Sequence, residues 1–144
     1  MGYWLIILIG LIGGVAVGIQ GLLGGAMGQR VGGAASSFII HLGGLLASGV
    51  FLYLRGGEKI KEWSTLPWYM LGSGVLGLIL FLTINHTLPR LGGTIMITLI
   101  IIGQLATGII IDHFGLLGVA PRPVDLYRLA GLAALLVGGY LIAR

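Results

Sequence analysis

MGYWLIILIGLIGGVAVGIQGLLGGAMGQ, residues 1–29, contains no Asp, Glu, Lys or Arg. A helix that crosses a bilayer needs about 20 mostly apolar residues, with roughly 17–25 tolerated. This stretch is long enough to cross once. It lacks a basic start, and its apolar run exceeds the roughly 7–15 residues of a secretory signal. It therefore reads as a retained first helix.

The same reading extends along the chain. Charge is also absent from Val31 to Leu54, from Trp63 to Pro89, from Leu91 to Ile111, and over the shorter gap Leu129 to Ala143. The charges punctuate apolar runs, so spans are expected near 3–24, 33–54, 67–86, 91–112 and 126–143. The last reaches full length if Arg128 snorkels to the headgroups. Hydrophobic residues are 57% of 144, charged residues 8%, and the mean hydropathy is +1.09. A soluble domain is about 25% charged. A water-facing surface could not be covered with so little charge, whereas lipid accepts an apolar surface. The expected fold class is all-α: a polytopic membrane protein, one transmembrane domain over 1–144, with five transmembrane helices.

Orientation follows weakly from charge. Arg55, Lys59, Lys61, Arg122 and Arg128 fall on the side of the N-terminus, and Arg30, Arg90 and Arg144 on the other. The excess favours a cytoplasmic N-terminus. So small a margin also suits dual insertion and antiparallel pairing. Tyr3, Trp4, Trp63, Trp68, Tyr69, Tyr127 and Tyr140 fall near span ends, as interfacial belts do.

Glycine is the next signal, with 28 in 144 residues against about 7% normally. Gly10, Gly14 and Gly18 recur every four residues, and Ala134 and Gly138 repeat the spacing on the last helix. Small residues at that spacing let helices approach closely in lipid, and glycine-rich helices also bend around transport sites. Arg30-Val31-Gly32-Gly33 and Arg90-Leu91-Gly92-Gly93 stand 60 residues apart, each opening a helix. They suggest two helix pairs descended from one unit, with the fifth helix appended.

Polar residues inside spans are costly, so each needs a reason. Gln20 and Gln104 are read either as interhelical hydrogen-bonding groups or as residues lining a substrate cavity. His41 near the middle of the second span is a packing residue or a proton relay. Asn85 and His86 are expected to close the third helix at the interface. Asp112, the one carboxylate inside an expected span, caps the fourth helix or serves as a gate or coupling residue.

Enzyme motifs are missing: no HExxH, no P-loop, no Gly-x-Ser-x-Gly and no paired carboxylates within a span. No catalytic residue, metal site or cofactor is expected. With no cysteine, disulfides and thiol chemistry are excluded. The basic residues are scattered singly, so nucleic acid is not expected as a partner.

At several points the residues resemble a family. Gln20-Gly21-Leu22-Leu23 with Gly28-Gln29-Arg30-Val31-Gly32 resembles the first-helix motif of the YdcZ-like, five-helix branch of the drug/metabolite transporter superfamily. Ser37-Phe38, Pro67-Trp68 with Leu71-Gly72, and Pro89-Arg90-Leu91-Gly92 fit the same order. Gly103-Gln104-Leu105 with Ile111-Asp112-His113-Phe114-Gly115 is the most specific match, continued by Gly118 and Pro121. The resemblance implies an inner-membrane exporter, in a superfamily whose members dimerise or are internally duplicated. The segment Gly131 to Gly138 is also similar to the last helix of small multidrug resistance proteins, where glycines seven apart form a dimer seam. Two departures stand out. The first helix lacks the glutamate of those exporters, which argues against a proton/cation exchanger. Gly24 and His41 stand where the family often has Asn and a small residue.

The sequence therefore points to a secondary active transporter of a small neutral or anionic solute in a bacterial or archaeal plasma membrane. It would work by alternating access as a homodimer, parallel or antiparallel, or beside a homologous subunit. Gln20, Gln104 and His41 are the candidate substrate-binding residues. Asp112, Arg30 and Arg90 are candidates for coupling or gating. Gly14, Gly18, Gly131 and Gly138 are candidates for helix packing and a dimer seam. A non-transporting structural or regulatory subunit and a passive channel are the alternatives.

Overall fold

The computed structural model describes residues 2–142 and 144. Helix α1 runs Tyr3–Val31, α2 Gly33–Leu54, the single turn α3 Trp68–Leu71, α4 Gly74–Phe114 and α5 Leu126–Ile142. Short 3-10 turns at Ile60–Thr65 and Leu116–Gly118 interrupt the connections, and no strand occurs among the described residues. The last residue of the expected fifth span, Ala143, lies outside the described residues. The chain divides into two compact units, Met1–Arg90 and Leu91–Arg144.

Three helical runs are long and apolar enough to cross a membrane: Tyr3–Val31, Gly33–Leu54 and Trp68–Phe114. The third holds 47 residues, about 70 Å of helix at 1.5 Å per residue, against a hydrocarbon core of about 30 Å. The run is interrupted at residues 72–73 and again at Gly92, whose φ 78 and ψ 165 are non-helical, leaving helical segments 68–71, 74–91 and 93–114. The shorter apolar helix Leu126–Ile142 completes the all-helical, membrane-type architecture.

The breaks fall on the repeated motif. Gly32, the single residue between α1 and α2, has φ 90 and ψ 152. Gly92, 60 residues on, has nearly the same pair of angles. That region of backbone space is open essentially to glycine alone. The two Arg-apolar-Gly-Gly sequences thus encode the same backbone step. Helix boundaries differ from expectation at three places, the third span being interrupted at residues 72–73. Helix α1 continues past 24 to Val31, and Asn85 and His86 lie inside α4 rather than closing it.

Side chains are distributed as lipid demands. Leu5, Leu8, Ile9, Leu11, Ile12 and Val15 of α1 are exposed, while Gly21, Gly24 and Gly25 of the same helix are buried. In lipid, helices gain by close approach of small residues rather than by hiding large apolar ones. The glycines of closest approach are not the expected ones. A Cβ at Gly10 or Gly14 would meet nothing within 4 Å. One at Gly24 would lie 2.6 Å from Phe81 and 2.7 Å from Ile40, and one at Gly28 would collide with the Asn85 side-chain oxygen. The first unit therefore packs the C-terminal half of α1 against α2 and against segment 74–91. Ser36 is fully buried and donates its hydroxyl to Gly24 O at 2.7 Å, joining α2 to α1.

Pro89 sits inside α4. It has no N–H, so the carbonyl of Asn85, four residues back, loses its helical partner. Gln29 Nε2 donates to that carbonyl at 3.3 Å. An unpaired backbone group is expensive in lipid, and here a side chain from α1 replaces the missing donor. The Asn85 amide donates to Phe81 O at 2.7 Å. Its buried side-chain oxygen has no hydrogen-bond partner among the described residues and packs directly against Gly28. Hydroxyls elsewhere on α4 turn back onto their own helix: Thr87 to Thr83 O, Thr98 to Thr94 O and Thr107 to Gly103 O.

Candidate functional site: a charged groove between α4 and α5

Gln104, Gly108 and Asp112 are spaced four apart on segment 93–114, so they share one helix face. Arg128, Gly131, Leu132 and Leu135 share a face of α5 for the same reason. Together with Leu105 and Ile109 these residues line an open groove of about 330 Å³ within the second unit. Both glycines leave open space where a Cβ would stand. Farther along, Gly139 packs closely on Thr98, with a built Cβ 2.6 Å from Thr98 Cγ2. Close contact at one level and missing side chains at another produce the groove.

One end of the groove is charged. Arg128 reaches Asp112 Oδ2 at 3.3 Å, and both side chains are partly exposed, at 25% and 36%. The connection between α4 and α5 sets this pair. Gly115 takes the left-handed φ of 62 and Pro121 packs against it. Arg122 N donates to Asp112 O at 2.7 Å. Val124 N donates to His113 Nδ1 at 3.1 Å, so that nitrogen is the unprotonated one. Asp125 then caps α5, its Oδ1 accepting from Arg128 N at 2.8 Å, the usual work of an Asp N-cap. A cap three residues before Arg128 thus orients the first turn of the helix that carries the guanidinium.

The structure places the remaining sequence-predicted residues separately. Gln20 lies exposed on α1 and is not among the groove residues. His41 donates from Nδ1 to Ser37 O at 2.7 Å, since a carbonyl can only accept. Its ring meets Phe81 edge-on at 5.8 Å and its other nitrogen faces Gly77. Arg30 is exposed at the end of α1. Arg90 folds back to donate to His86 O at 2.6 Å. Gly14, Gly131 and Gly138 each have open space at the Cβ position. Gly138 lines a second apolar groove with Thr98, Ile102 and Leu135.

Sequence reasoning brought Gln104, Asp112 and Gly131 to attention but not Arg128 as their partner. Arg128 counted only as an interfacial anchor. The Asp125 cap was a legible helix-start signal. Asn85 and Gln29 were missed as a pair. The signal for them was Pro89, which requires a replacement donor for the carbonyl four residues earlier.

Apolar helices with large side chains outward, small residues inward and backbone breaks at paired glycines define a polytopic helical membrane protein. Residues 5–141 match the family model described as "Putative inner membrane exporter, YdcZ". The chain belongs to this inner-membrane exporter family. No curated protein matches it significantly, and no solved structure does.

Proposed function

We propose that the chain is a secondary active transporter that exports a small solute by alternating access, with 1–144 acting as one transmembrane domain. The observation that carries this reading is the groove lined by Gln104 within an apolar helix and bounded at one end by Asp112 and Arg128. A polar side chain inside a span is costly in lipid, and a solute path is the economical reason to keep one. Gln104 binds solute inside the groove, and Asp112 couples or gates at its mouth through Arg128. Gln20 and His41 are secondary binding candidates, and Arg30 and Arg90 secondary gating ones. The chemistry is transport and not catalysis.

A homodimer completes the transporter, with the open glycine positions Gly14, Gly131 and Gly138, together with Gly18, as the helix-packing and dimer surfaces. The membrane is the plasma membrane of a prokaryote, crossed several times. Flux through proteoliposomes tests the reading. Solute efflux should saturate with concentration and fall about tenfold or more in Gln104→Ala. A non-saturating flux would indicate a channel, and flux indifferent to Gln104 and Asp112 would remove the groove from the transport path.

A further inference from the structure

The groove itself narrows the class of solute, and this inference rests on the reading of it as the solute path. We propose that it binds a zwitterionic α-amino acid with an apolar side chain, the ammonium on Asp112 and the carboxylate on Arg128.

Charge balance is the first argument. Asp112 and Arg128 cancel, so the groove is neutral before anything enters. A lone cation on Asp112 would lie against the guanidinium, and a lone anion on Arg128 would lie against the carboxylate. A molecule that carries both charges on groups attached to one carbon meets both partners and leaves the total unchanged.

The second argument is spare hydrogen-bonding capacity. The pair is a single contact at 3.3 Å from one terminal nitrogen of Arg128 to one oxygen of Asp112. Arg128 NH1 makes only a long 3.4 Å contact to Arg122 O. A guanidinium offers five N–H donors and favours paired oxygens on a carboxylate. Here most of that fork is available, and so is the second Asp112 oxygen. The pair is therefore poised to open around a ligand rather than locked as a closed bidentate clamp.

Shape is the third. Beyond the charges the walls are Leu105, Ile109, Leu132 and Leu135, with Gly108 and Gly131 leaving room between them. Gln104 stands two helical turns from Asp112, about 12 Å along the axis. A volume of about 330 Å³ lies at the small end of ligand pockets. It suits one amino acid. The headgroup of phosphatidylethanolamine carries the same pairing of ammonium and anion, but a two-chain lipid is far larger than this groove.

The test uses the full chain in nanodiscs of phosphatidylglycerol, which supply no zwitterionic lipid. Radiolabelled L-leucine should bind saturably. Leucinamide, a cation, and N-acetylleucine, an anion, should each compete at least about tenfold more weakly than leucine. Asp112→Asn and Arg128→Gln should each weaken leucine binding at least tenfold with little change in melting temperature. The analogue series is run on the unaltered protein, so it decides the matter even if a variant fails to fold. Equal binding of either singly charged analogue would overturn the proposal. So would leucine binding that ignores both substitutions, or glycerophosphoethanolamine binding where leucine does not. Saturable, Gln104-dependent flux of some other solute, without leucine binding, would sink this inference and leave the transporter reading intact. Leucine binding with no flux of any solute would do the reverse.

Discussion

Gln29 Nε2 on α1 donates to the backbone oxygen of Asn85 on α4 at 3.3 Å, taking the place of the N–H that Pro89 lacks. One residue type creates the vacancy and another, 60 residues earlier, fills it. The relationship predicts a dependence between substitutions. Gln29→Leu should destabilise the protein by about 0.5–1.5 kcal/mol, the net worth of one hydrogen bond. In a Pro89→Ala background the helix regains its own donor, and Gln29→Leu should cost much less. A double-mutant cycle on thermal melting in detergent measures the coupling. Additive effects would mean that Asn85 O is satisfied otherwise.

Gly28 and Asn85 should behave as a tight pair. A methyl group at Gly28 collides with the Asn85 side-chain oxygen, so Gly28→Ala should cost about 1–3 kcal/mol through overpacking. Adding Asn85→Ala should recover part of that loss. Gly10→Ala, where space is open, should be neutral or slightly stabilising because alanine favours helix. Comparable losses at positions 10 and 28 would contradict the packing.

Gly32 and Gly92 share a backbone conformation. Substituting alanine at either should cost about 1–3 kcal/mol of backbone strain, although both have open space around the Cβ position. Folded yield and melting temperature report this. A tolerated alanine at both would show that the two joints are not built on that conformation.

Asp112 and Arg128 should matter more to transport than to folding. Both are partly exposed, and such pairs contribute about 0–1 kcal/mol. Asp112→Asn and Arg128→Gln should each shift melting little while cutting flux about tenfold or more. Equal loss of stability and flux would make the pair structural.

Topology decides how two copies assemble. Ser64 is exposed in the turn Ile60–Thr65, and the chain has no cysteine. Ser64→Cys alters no charge and leaves the positive-inside balance untouched. An impermeant maleimide applied to intact cells should label about half the molecules if insertion is dual and the dimer antiparallel. Protection of all of them until permeabilisation would put the N-terminus inside and require a parallel assembly or a homologous partner.

The gaps between charges were enough to mark the chain as a run of apolar helices of membrane-crossing type. Lipid imposes a length and an apolar surface on a crossing helix, and both are properties of consecutive residues. The paired motifs at Arg30 and Arg90 were legible as a repeat, and the structure adds that each holds a glycine in the same glycine-only conformation. The sequence also singled out Gln104 and Asp112 as polar groups needing a purpose, since any such group in a span does. It could not say which glycines pack. Gly14 and Gly28 carry the same spacing, and only a neighbouring helix distinguishes them. Nor could it join Gln29 to Asn85 or Asp112 to Arg128. Those pairs depend on how helices cross and on how the 115–125 connection turns back, and side-chain meetings of that kind are decided by packing between elements rather than by the order of residues within one.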